Sequence, residues 1–121
     1  MANNTINFSY NWNNKLDNKA FTTIRLHNPN KYIVEKEYNI LLNEIPKGVA
    51  VLQDKRTFGI IKLNDFICYL DTGYNQIQTI NMLKRMYKNI NLNTALFDLC
   101  LLVYKKVDKP AKVDIQTSLE L

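Results

Sequence analysis

The sequence predicts a mainly β fold with an α-helical insertion, an α+β chain closed as a small barrel. Three observations lead there. Short runs of β-branched and aromatic residues recur along the first half, separated by turn residues. One stretch, residues 75–89, carries helical periodicity. A long apolar run near the end, "TALFDLCLLVYKK", has no polar face and suits a central or barrel-closing strand.

Each element follows in order. "TINFSY" reads as a first strand with Phe8 and Tyr10 on one face, and "NWNNKLDNK" as a polar loop or one helical turn. "AFTTIRL" is a strand, "HNPNK" a loop around Pro29, "EYNILLN" the next strand, and "EIPKG" a turn. "VAVLQ" and "TFGIIKL" flank "DKR", which reads as a hairpin. "NDFICYL" is a short helix capped by Asn64 or Asp65 and broken by "DTG". In "NQIQTINMLKRMYKN", Asn75 caps a helix and Gln78 completes the box. Ile77, Ile80, Leu83 and Tyr87 form its expected buried face, with Tyr74 and Tyr87 as anchors. Residues 1–107 read as one domain, and 108–121, with Pro110, as a C-terminal extension.

The totals narrow the function. The chain has 121 residues, of which 46% are hydrophobic, enough apolar mass for one core. Its net charge of +5 suits contact with phosphate or another anion. Cys68 and Cys100 both lie in apolar runs and read as reduced core residues. Together with the lone His27 they are too few for a structural zinc site, so neither a metal nor a cofactor is expected. No apolar run approaches the roughly 18 residues of a membrane span, and the Asn-rich start lacks a signal-peptide core. A soluble, cytoplasmic protein is expected. Its many Asn, Ile and Lys residues match an AT-rich genome, such as that of some bacteria and their viruses.

The stretch "KAFTTIRL" draws attention because strand alternation sets Lys19, Phe21, Thr23 and Arg25 on one face. Ala20, Thr22, Ile24 and Leu26 form the other, expected to be the core face. A guanidinium and a hydroxyl can bind phosphate or a base edge, and an aromatic ring can stack a base. An ordinary solvated strand face has the same pattern.

In order, "KAFTTIRL", "KYIVEKEYNILLN", "VAVLQDKRTFGIIKL", "DTGYNQIQTINMLKRMY" and "FDLCLLVYKK" resemble the ASCH domain family of the PUA-like superfold. The likeness spans about Phe8 to Lys106. It implies a PUA-like β-barrel with a cleft beside the Thr-x-Arg strand, binding RNA or a modified nucleoside. It also implies a second possibility, since some bacterial relatives are amidohydrolases that deacetylate acetylated cytidine with a Lys, a Thr and a Glu. Carried over, Thr23 matches the Thr and Arg25 the Arg. Lys19 stands for the Lys, one residue further from Thr23 than in the hydrolases. The Glu has no match: Thr72 occupies its place before Gly73, and Asp71 lies one residue earlier. A binding module is therefore expected first, with Lys19, Phe21, Thr23, Arg25, Trp12 and Thr72 as ligand contacts. A hydrolase with Thr23 as nucleophile, Lys19 as base and Asp71 as acid comes second. A barrel kept for protein contacts alone is the third reading.

Weaker candidates are a basic surface of Lys47, Lys55, Arg56, Lys84, Arg85 and Lys88, His27 at a cleft mouth, and Trp12 as a cap on the barrel's open end.

Overall fold

A computed structural model describes residues 4–105. The expected C-terminal extension lies outside them. Five strands form one curled sheet, a half-barrel, in the order β1-β3-β4-β5-β2. These are β1 (Thr5–Phe8), β2 (Ala20–Leu26), β3 (Glu37–Leu42), β4 (Ile45–Gly59) and β5 (Leu96–Tyr104). Strand β1 runs parallel to β3, and every other pairing is antiparallel. Two helices, α1 (Asp65–Thr72) and α2 (Gln76–Met86), enter between β4 and β5. The mainly β, helix-inserted architecture read from the sequence is present. No helix among the described residues is long and apolar enough to cross a membrane.

Both helix starts form as their sequences dictate. The Asn64 side chain accepts from the Ile67 amide, and Asn75 and Gln78 form a reciprocal capping box. Gly73 ends α1 at φ 82°, a left-handed conformation that glycine adopts without strain. Three of the four residues expected on the buried face of α2, Ile80, Leu83 and Tyr87, do pack inward. Thr79, Met82 and Leu83 are inside, whereas Ile77 is 68% exposed. Ile77 sits in the first turn of the helix. Tyr87 does anchor the helix, accepting the Leu26 amide at 3.3 Å and packing against Phe97.

The expected hairpin at "DKR" does not exist. Strand β4 runs unbroken through it, pairing Asp54, Lys55 and Arg56 with Leu101, Cys100 and Leu99. The segment lacks the Asn-Gly or Asp-Gly pair that most favours a two-residue turn. It has a β-bulge instead, between Leu52 and Asp54, which bends the strand and helps to curl the sheet. The true hairpin turn is Asn43–Glu44, both with positive φ (51° and 71°), ahead of "IPKG", which is already strand. Tyr10 lies outside β1 and is 59% exposed, so it shares no core face with Phe8.

Both faces of the sheet are covered. The concave face gathers Ile6, Phe8, Phe21, Tyr38, Leu52 and Leu102 with their neighbours. The convex face packs Ile24 and Phe97 against Leu63, Cys68, Met82 and Leu83 of the helical insertion. Trp12, in a 3₁₀ segment, is partly buried and touches both clusters. Edge strands β1 and β2 meet through side chains: Phe8 meets Phe21 edge-on at 5.9 Å, and the Arg25 guanidinium donates to the Asn7 carbonyl at 3.4 Å.

Candidate functional site

Along the convex face, residues of α1, β2, β4 and β5 line a groove of about 590 Å³. This lies within the size range of small-ligand sites. Phe58, Phe66, Ile67, Leu70 and Leu99 give it apolar walls, and Arg56 and Lys62 stand at its rim with Asn64. Thr22 lines it from β2. A shallower extension runs on past Thr22 and Leu99 to Asp54 and Leu101. Phe66 and Leu70 are 74% and 62% exposed, an apolar surface that the fold itself leaves uncovered.

Thr22 connects this groove to a buried ion pair. Its hydroxyl donates to Asp71 Oδ1 at 2.8 Å, and Lys15 Nζ donates to the same oxygen at 2.9 Å and to the Asp71 carbonyl. Lys15 and Asp71 are 4% and 2% exposed. Burial pulls the lysine pKa down from its ordinary value, against the attraction of Asp71; the nearby Arg25 charge lowers it slightly further. A hydroxyl, a carboxylate and an ammonium thus form one hydrogen-bonded chain that opens on the groove through Thr22.

The concave face has its own polar cluster. Asp98, fully buried, accepts from Thr57 Oγ1 at 2.6 Å and from the Asn28 amide at 3.3 Å, and lies 2.9 Å from His27 Nδ1. Arg25 stacks over the Phe8 ring at 4.5 Å and donates from Nε to Thr23 Oγ1 at 3.1 Å. Burial, with the Asp98 charge behind it, pushes the Cys100 thiol up to about 12, so it stays protonated and unreactive.

The sequence-derived residues therefore divide. Phe21, Thr23 and Arg25 do share a face, but it is the barrel interior, with Phe21 and Thr23 each 4% exposed. Thr22 and Ile24, on the face expected to be core, meet the groove and the helices. Lys19 is exposed and stands in neither cluster. Thr72 is buried and bonded to the Cys68 carbonyl, to Thr79 and to the Tyr74 amide, which makes it part of the helix junction. Trp12 packs in the core as described. Asp71 does meet a threonine and a lysine, but they are Thr22 and Lys15 rather than Thr23 and Lys19. Of the expected basic surface, Arg56 reaches the groove, Lys55 donates to the Tyr32 carbonyl at 2.7 Å, and Lys47 pairs loosely with Asp17 at 3.4 Å. Comparison with protein-family models, curated proteins and solved structures gives no significant match.

Proposed function

We propose that the protein is a binding module for RNA or a nucleotide-like ligand, seated in the groove between α1 and the convex face of the sheet. The observation that carries this reading is the composition of that groove. Apolar and aromatic walls, Phe58 and Phe66 among them, stand beside two rim cations, with the Thr22 hydroxyl between. A base has a flat face for the aromatic walls and edges for a hydroxyl, and its phosphate suits Arg56 and Lys62. The ASCH-like order of segments and the net charge of +5 support it, as does a mainly β half-barrel. The ligand thus lies beside the Lys19–Arg25 strand but on the Thr22 side.

Fluorescence anisotropy with a labelled single-stranded RNA hexamer tests the proposal. Phe66→Ala should weaken binding by about 1–3 kcal/mol, the scale of one base–aromatic stack. Replacing Arg56 and Lys62 together by alanine should weaken it further and flatten its salt dependence. Unchanged affinity in both variants would remove the groove as the site.

A second reading rests on the Lys15–Asp71–Thr22 chain. A threonine hydroxyl needs a base to attack a carbonyl, and the Thr22 proton already points at a carboxylate backed by an ammonium. As an amidohydrolase, the protein would attack the acetyl carbonyl of acetylated cytidine with Thr22 Oγ1. Incubation with that nucleoside should release acetate, and Thr22→Val should abolish the release. No acetate from the unmodified protein leaves the binding reading alone.

A further inference from the structure

The concave face holds a set of hydrogen-bond donors that are short of acceptors among the described residues. Arg25 is half-buried, and among the described residues no carboxylate reaches ion-pair distance of it. Its two terminal nitrogens share only the Asn7 carbonyl, both at 3.4 Å. Thr23 Oγ1 accepts from Arg25 Nε, and its own proton has no acceptor among the described residues. The Tyr32 hydroxyl is without a hydrogen-bond partner there too, although the residue is only 6% exposed. The Lys31 ammonium lies 5.5 Å from the centre of the Tyr32 ring and makes no ion pair or hydrogen bond among the described residues. The buried carboxylate of Asp98 is already engaged by Thr57, His27 and Asn28, and that of Asp71 by Lys15 and Thr22.

Such an arrangement is costly when empty, because buried donors without acceptors lose their hydration. The neighbouring positive charges also repel one another. Burial lowers the Lys31 pKa, and the Arg25 charge lowers it further. Burial likewise pushes the Tyr32 phenol up to about 12, against the opposing pull of Arg25, so it remains a donor at neutral pH. An acceptor with several lone pairs and negative charge relieves both costs at once.

We propose that this face binds a phosphate-type oxyanion, held by the Arg25 fork, the Thr23 and Tyr32 hydroxyls and the Lys31 ammonium. None of these four residues lines the groove. Its ligand is either free phosphate or the phosphoryl end of a larger molecule.

Titration calorimetry on the full chain, with inorganic phosphate and with phenyl phosphate, separates those sources at constant ionic strength set by chloride. Saturable binding of inorganic phosphate alone assigns the site to the free anion. Binding of phenyl phosphate as well assigns it to a phosphoryl group. Lys31→Ala should weaken binding about tenfold and Tyr32→Phe severalfold, both without loss of fold, because neither polar group has a partner to lose. The proposal is overturned if neither ligand binds saturably, or if Lys31→Ala and Tyr32→Phe bind as tightly as the unmodified protein.

Discussion

Asp71 is the residue on which most depends. Its carboxylate neutralises a lysine that is 4% exposed and orients the hydroxyl that lines the groove. Removing one partner of a buried pair leaves an uncompensated charge, so Asp71→Asn should lower stability by about 3 kcal/mol. Lys15→Met together with Asp71→Leu should cost less than the sum of the two single replacements, because no lone charge then remains. Urea denaturation of the four proteins measures this coupling. Additive losses would mean that the pair is not energetically linked. Sequence reading found Asp71 through its place before Gly73, but it missed Lys15. That lysine sits in "NWNNKLDNK", whose polarity gives no hint that its amine turns inward. Asp98 was missed too, although a lone carboxylate inside "LFDLCLLVY" is a usable signal. An acid in so apolar a strand must find donors, and here it finds three.

Among the elements, the β3–β4 hairpin has the clearest local conflict. Its two-residue turn needs positive φ at both positions, which Asn43 tolerates and Glu44 does not. Glu44→Gly should therefore raise stability by about 0.5–1 kcal/mol, the relief of strain being partly offset by the greater freedom of glycine in the unfolded chain. The urea midpoint should rise with an unchanged slope. A fall in the midpoint would show that the Glu44 side chain contributes more than its backbone costs. The same turn explains why the sequence was misread here. The turn read at "EIPKG" falls one residue late, because its proline and glycine outweigh Asn43, while "DKR" reads as a turn only from the apolar runs beside it. The helices were legible because their caps are local: Asn64, Asn75, Gln78 and Gly73 act within a few residues of themselves. Strand pairing is not local. Only the length of β5 available to β4 decides that "DKR" continues rather than turns.

At the scale of the whole molecule, the alternation of "KAFTTIRL" was legible, but the identity of its core side was not. In a sheet covered on both faces, neither side of a central or near-edge strand is plainly solvent. Phe21 and Thr23 go inside the half-barrel, and Ile24 goes under the helices. The side left partly uncovered is the one facing α1, where Thr22 and Leu99 line the groove. A face choice made from hydrophobicity alone misses this, because it depends on where a later helix comes to rest.

The sheet ends in two edges that no ladder of amides joins, and this fixes where the molecule opens first. Strand β1 has four residues, one parallel neighbour, and a side-chain link to β2 through Arg25 and the Phe8–Phe21 contact. Strands β4 and β5 are held over nine pairs of residues. Amide protons of β1 should therefore exchange with solvent through local opening, well before those of β4 and β5. Arg25→Ala should speed β1 exchange selectively while leaving β5 protected. Equal acceleration in both strands would show that Arg25 supports the fold as a whole. With β1 released, Phe21 and Tyr38 lose cover, and the half-barrel presents a raw β3 edge to the nearest extended chain.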